Sequence, residues 1–259
     1  MEFERIQDWF EKIPPRKSLI IRDDQYELLE LREILALAGK KNIYIRLIDS
    51  GKFNHLEISA LTVVPFSFYT TDLIRGDFQE LGLLADVLKK KGCNLYYFLR
   101  GELNETSPVF ILPGIFRAIF ISSRERQPNI ELLSRLSEQI SSSGSDFVYY
   151  HHGNPGEDLL AISQKRTWIH VSNRFFTEED ERVILDLARG IKKKKGLLLV
   201  HLDRFQDYYF LKTLAKAGAF LIFNLPPVEH SSKLYSLETH WRNRDLPEQA
   251  FYLYKEIMA

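Results

Sequence analysis

The stretch FVYYHHGNPGEDLLAIS, Phe147 to Ser163, has the layout of a strand, a glycine turn and a helix, which is how proteins cradle phosphate. A loop of the form G-x-x-x-x-G-K-[ST] uses glycines to let backbone N–H groups curl around phosphate. Its lysine neutralises the β and γ oxygens, and its hydroxyl binds Mg²⁺. Set in that register, the first glycine position holds His151 and the second Gly156, with Gly153 between them. Glu157 and Asp158 stand where the lysine and hydroxyl belong. Two like charges about 4 Å apart repel by roughly 4 kcal/mol at an effective dielectric of 20. The loop is therefore expected to have lost ATP binding in the usual mode.

A second set of residues suggests a different chemistry. Asp23, Asp49, Asp72, His151, His152, His170, His201 and Asp203 fall at or near the ends of strand-like segments. If all those strands formed one (β/α) barrel, their ends would converge on one face. Histidine and aspartate gathered there could hold zinc or manganese and activate water for hydrolysis. Neither H-x-H nor H-E-x-x-H occurs, and a mid-strand residue such as His170 reads first as a packed or hydrogen-bonded structural group. The single Cys93 excludes an intramolecular disulfide, a cysteine zinc cluster and a CxxC redox pair.

The elements that would position these residues alternate along the chain. Strand candidates are SLIIR, NIYIRLI, TVVPFSFYTT, NLYYFLR, RAIFISS, DFVYYHH, TWIHVS, LLLVHL and AFLIFNL. Amphipathic stretches such as DQYELLELREILALAGKK, FQELGLLADVLKKKG, NIELLSRLSEQISSSG and EEDERVILDLARGIKKKK separate them, several closing on lysines and glycine as helix ends do. The alternation predicts an α/β class with a mostly parallel sheet. Nine strands suit two arrangements: a five-stranded domain followed by a four-stranded one, or a single (β/α) barrel with an extra strand.

Composition narrows the partners. With 259 residues, 45% hydrophobic and 27% charged, the chain can bury a sizeable core. Lys plus Arg and Asp plus Glu both total 35, so no global field draws it to nucleic acid or anionic lipid. The run Lys192 to Lys195 reads as the solvated end of a helix. The start, MEFERIQDWFEKIPP, lacks a signal-peptide apolar region, and no apolar run reaches the ~18 residues of a membrane span. A cytoplasmic protein is expected, without membrane association.

Two resemblances favour the tandem arrangement. SLIIRDDQYELLELREILALAG resembles the first strand and helix of a response-regulator receiver domain, and GDFQELGLLADVLKKKG and AIFISSRERQPNIELLSRL resemble its later segments. The resemblance implies an acid site at Asp23, Asp24 and Asp72, with the phosphoacceptor position near Thr70. Arg100 occupies its hydroxyl position and Gln127 its lysine position. So many altered positions imply a pseudo-receiver; a metal site of Asp23, Asp24, Asp72 and Asp77 is the competing view. LLSRLSEQISSSGSDFVYYHHGNPGEDLLA is similar to the start of an AAA+ domain of bacterial enhancer-binding activators. That resemblance puts His201 and Asp203 at a damaged Walker B site and Asn224 near the sensor position.

On these resemblances, residues 1–142 are expected to form a pseudo-receiver and 143–259 a degenerate AAA+ or P-loop domain. Together they imply a non-catalytic regulator of bacterial signalling or transcription, without metal or cofactor, that contacts a protein partner such as an intact regulator of the same family. No direct DNA binding is expected, because no DNA-reading helix is evident. The alternative is a metal-dependent hydrolase on a (β/α) barrel.

Overall fold

A computed structural model describes residues 12–13, 17–177, 180–204 and 206–223. Nine strands form: β1 (Ser18–Arg22), β2 (Tyr44–Ile48), β3 (Ser67–Thr71), β4 (Asn94–Leu99), β5 (Ala118–Ser122), β6 (Asp146–Tyr150), β7 (Thr167–Ser172), β8 (Leu197–Leu202) and β9 (Phe220–Phe223). Each lies within one of the nine apolar runs of the sequence. The helices among the described residues include α1 (Leu28–Lys40), α2 (His55–Leu61), α3 (Phe78–Lys90), α4 (Pro108–Ile111), α5 (Ile130–Ser143), α6 (Glu181–Lys193) and α7 (Tyr208–Ala217).

The strands make one nine-stranded sheet in the order β1-β2-β3-β4-β5-β6-β7-β8-β9. Pairing is parallel from β1 to β4 and again from β6 to β9. This is the α/β class expected, and the strand order is that of a (β/α) barrel, the single-sheet alternative. It overturns the receiver and AAA+ readings. A receiver sheet places its first strand between the second and third, and doubly wound sheets reverse direction at a switch point. Here β1 pairs with β2 and β2 with β3, with no reversal. Right-handed crossovers between parallel neighbours in chain order are expected to put the helices within each run, β1 to β4 and β6 to β9, on one face of the strands they connect.

The chain forms two compact units, Met1–Phe120 and Ile121–Ala259, divided within β5. In the first, α1 buries Leu31, Ile34, Leu35 and Ala38, and α3 buries Leu81, Leu84, Ala85 and Leu88. In the second, α6 buries Ile184, Leu187, Ala188 and Ile191. All three sets have the i, i+3, i+4, i+7 spacing of one helical stripe. Asp77 caps α3 through the Gln79 and Glu80 amides, and Asn129 caps α5 through Glu131 and Leu132. The lysine run Lys192 to Lys195 closes α6, and Lys194 Nζ donates to the Leu160 carbonyl at 2.6 Å.

Helix α5 stops at Gly144, whose φ of 85° is left-handed and whose N–H reaches back to the last carbonyls of the helix. A Cβ there is expected to cost about 1–2 kcal/mol. Chemical denaturation of Gly144→Ala checks this through a lower midpoint at unchanged slope.

Candidate functional site

In the first unit, the aspartates that follow the strands are committed to the fold. Asp49, directly after β2, accepts from Thr70 Oγ1 at 2.7 Å and from Arg75 Nε at 2.8 Å through Oδ2. Its Oδ1 accepts from Arg75 Nη2 and the Gly51 amide, both at 3.0 Å. Arg75 is 4% exposed and also donates to Glu80 and the Phe53 carbonyl. Asp72 accepts from the Arg100 and Gly101 amides at 2.7 and 2.8 Å. Thus Thr70 supports Asp49, and the backbone of Arg100 tethers Asp72.

Asp23 is fully buried; its Oδ1 accepts from the Ser50 amide at 2.8 Å, and its Oδ2 has no partner. Burial raises its pKa, with the Ser50 hydrogen bonds opposing and the Asp49 charge adding to the rise. Asp24 points elsewhere, pairing with Arg22 at 3.0 Å, and that hydrogen bond lowers its pKa. Asp77 caps α3. Asp23, Asp24, Asp72 and Asp77 therefore do not form the acid site of a receiver. No three of the His, Cys, Asp and Glu side chains among the described residues are grouped to hold a metal.

In the second unit the ends of β6, β7 and β8 bring polar groups together. His170 Nδ1 and His201 Nε2 lie 2.9 Å apart, so one ring donates to the other. Both side chains occupy one face because Ser172 pairs with His201, and His170 stands two residues before Ser172. Tyr150 stacks on His170 with ring centroids 4.2 Å apart. Burial drives the His170 pKa well below 6.5, and the neighbouring His201 pushes the same way, so His170 is neutral at pH 7.

Just beyond, Ser172 Oγ donates to Asp203 Oδ2. Asn173, fully buried, accepts from the Asp203 and Arg204 amides at 2.8 and 3.1 Å and donates to the Arg204 carbonyl. This clamp fixes the chain leaving β8 against the end of β7. Sequence reasoning missed Tyr150, Ser172 and Asn173 as members of the cluster; the polar pair at the end of TWIHVSN was their only local signal.

The glycine loop after β6 does not lead into an α-helix. Glu157 and Asp158 open a 3-10 turn, Glu157–Leu160, and Gly153 has φ +142°. His151 Nε2 meets the Asn154 carbonyl at 3.1 Å, and a Cβ on Gly156 would meet Asp158 Oδ1 at 2.7 Å. With the strand order excluding the AAA+ frame, His151, Gly153, Gly156, Glu157 and Asp158 are a turn at a strand end. Likewise His201 and Asp203 belong to the histidine cluster and not to a Walker B site. Asn224, the sensor candidate, lies outside the described residues, as does the amphipathic C-terminal stretch.

No protein family and no curated protein matches the chain by sequence. Among solved structures, deoxyribose phosphate aldolase from Aeropyrum pernix shares 13% identity over 93% of this chain and 98% of its own, with a TM-score of 0.35. A truncated 3-deoxy-D-arabino-heptulosonate 7-phosphate synthase from Thermotoga maritima shares 14% over 93% and 88%, with a TM-score of 0.33. The YdjI aldolase from Escherichia coli K12 shares 8% over 96% and 86%, with a TM-score of 0.34. Likeness at this level transfers neither activity nor substrate. The non-catalytic signalling or transcription regulator falls with the domain resemblances from which it was inferred. Among the described residues no helix is long and apolar enough to cross a membrane.

Proposed function

We propose that this chain is an enzyme of the (β/α) class, a hydrolase of a small polar substrate, with its reaction centre at the C-terminal ends of β6, β7 and β8. The observation that carries this reading is the buried 2.9 Å hydrogen bond between His170 and His201. In parallel (β/α) proteins the residues that do chemistry stand at the C-terminal ends of strands. A neutral His170 accepts the proton on His201 Nε2, so that His201 can take a proton from water or a substrate hydroxyl at its other ring nitrogen while the charge stays on His201. Ser172, the register partner of His201, and Asp203 supply polar contacts beside it. The reading retains the histidines and aspartate of the barrel hydrolase. It assigns proton transfer to the imidazole pair, since the described residues offer no three-ligand group.

The test is turnover of chromogenic carboxylic esters, phosphomonoesters and phosphodiesters by the wild type and by His201→Gln. The expected result is turnover of one class by the wild type, insensitivity to chelator, and kcat/KM about 10²–10⁴-fold lower in the variant at unchanged thermal midpoint. Equal rates in both proteins, no turnover of any class, or loss of activity on chelation would count against the reading.

A further inference from the structure

We propose that the helix-free face of the first unit carries a binding site for a small oxyanion, a phosphate or carboxylate group, built on Arg46, Tyr69, Tyr44 and Ser67. Arg46 is only 8% exposed, and its Nε has no hydrogen-bond partner. Among the described residues the guanidinium has no hydrogen bond and no ion pair. The other deeply buried arginine of this unit is answered, Arg75 by Asp49 and Glu80, and Asp49 in turn by Arg75, Thr70 and Gly51. Taking an uncompensated guanidinium out of water is strongly unfavourable, and arginine's planar fork matches an oxyanion. An anion that arrives as ligand supplies the missing charge.

The neighbours fit the same occupant. Strand register puts Ser67 directly beside Arg46, Tyr69 beside Ile48, and Tyr96 beside Tyr69, so all these side chains share one face. Tyr69 is fully buried, and its hydroxyl makes no hydrogen bond of good geometry, although the Ser67 hydroxyl and Arg46 are close enough to favour its ionised form. That puts a second buried donor one residue pair along from the arginine. Tyr44 Oη and Ser67 Oγ lie 2.6 Å apart, so one of them donates to the other and the pair retains a further hydroxyl hydrogen to offer. Tyr96 stacks flat on Tyr69 at 4.4 Å and holds its ring in place. Tyr44, Asn94 and Tyr96 are only partly buried on this face, which leaves an approach from the N-terminal ends of β2, β3 and β4. Nothing local marks the site, since Arg46 sits inside the apolar run NIYIRLI.

The experiment follows the thermal midpoint of the full chain in inorganic phosphate, methyl phosphate or acetate, each against sodium chloride at matched ionic strength. It is run on the wild type, Arg46→Met and Tyr69→Phe. The expected result is a concentration-dependent rise with at least one oxyanion over chloride. Arg46→Met abolishes that rise, and Tyr69→Phe weakens apparent affinity about tenfold. Methyl phosphate or inorganic phosphate acting alone identifies a phosphate site, and acetate acting alone a carboxylate site. In parallel, the arginine Nε–H resonances of the wild type are titrated with the same anions, which keeps the proposal testable where a variant fails to fold. Responses identical to chloride in the wild type, no moving Nε–H resonance, or an undiminished response in Arg46→Met would overturn the site.

Discussion

Replacing Arg75 by methionine is expected to destabilise the protein by about 3–5 kcal/mol, because it strands the Asp49 carboxylate in a dry interior. Asp49 is 2% exposed, and Arg75 supplies two of the four hydrogen bonds that it receives. Burial alone would depress the Arg75 pKa; the Asp49 and Glu80 contacts outweigh it and raise the value. Urea denaturation checks the magnitude, and the double variant Asp49→Asn/Arg75→Met distinguishes the cause. Removing both charges should recover a substantial part of the loss, giving a coupling energy well above the ~1 kcal/mol ceiling of a solvent-exposed pair. A loss below about 1 kcal/mol for the single variant would mean that water reaches Asp49 and that the ion pair is ornamental.

The same pair shows where sequence reasoning ends. Asp49 was recognisable as an aspartate after the strand NIYIRLI, in a set of strand-end carboxylates. Nothing in TTDLIRGDF marks Arg75 as its partner, because a separation of 26 positions along the chain says nothing about burial. The nine strands were legible because each is a short apolar, aromatic or β-branched run bounded by turn residues. Their order was not, since periodicity reports which faces a strand has and not which strand lies beside it. A receiver sheet and a singly wound sheet share the same βα alternation, so the choice between them had no local signal. Helix α2 was missed for a different reason. It has one short apolar stripe, although the Asn54 and Glu57 capping box that begins it is visible in the sequence. The histidines were noted at strand ends, but their contact depends on a two-residue offset in the register of β7 and β8.

That contact sets the second large effect, a stability that falls in mild acid. His170 is buried and neutral, with its folded pKa well below 6.5, so below that pH the unfolded chain binds one proton more than the folded one at this position. Stability therefore decreases as pH falls from 6.5 toward the folded pKa, by up to about 1.4 kcal/mol per pH unit, and the loss levels off below the folded value. Above pH 6.5 the residue contributes no slope. Asp23 carries the opposite sign: its raised pKa favours the folded state at low pH, and that contribution fades as pH rises through the folded value. The two windows overlap in acid, so the His170 term is isolated by subtraction. Unfolding free energies of the wild type and His170→Gln are measured between pH 4.5 and 8, a working range of roughly three titration widths. The expected outcome is that the variant, uncharged throughout, loses less stability than the wild type on acidification, with curves that diverge only below about pH 6.5. Glutamine can still hydrogen-bond His201, so a merely structural histidine at that position would leave the two pH profiles parallel. Divergence in the stated direction means that protonation of His170 is what the fold resists, as a neutral imidazole paired with His201 requires.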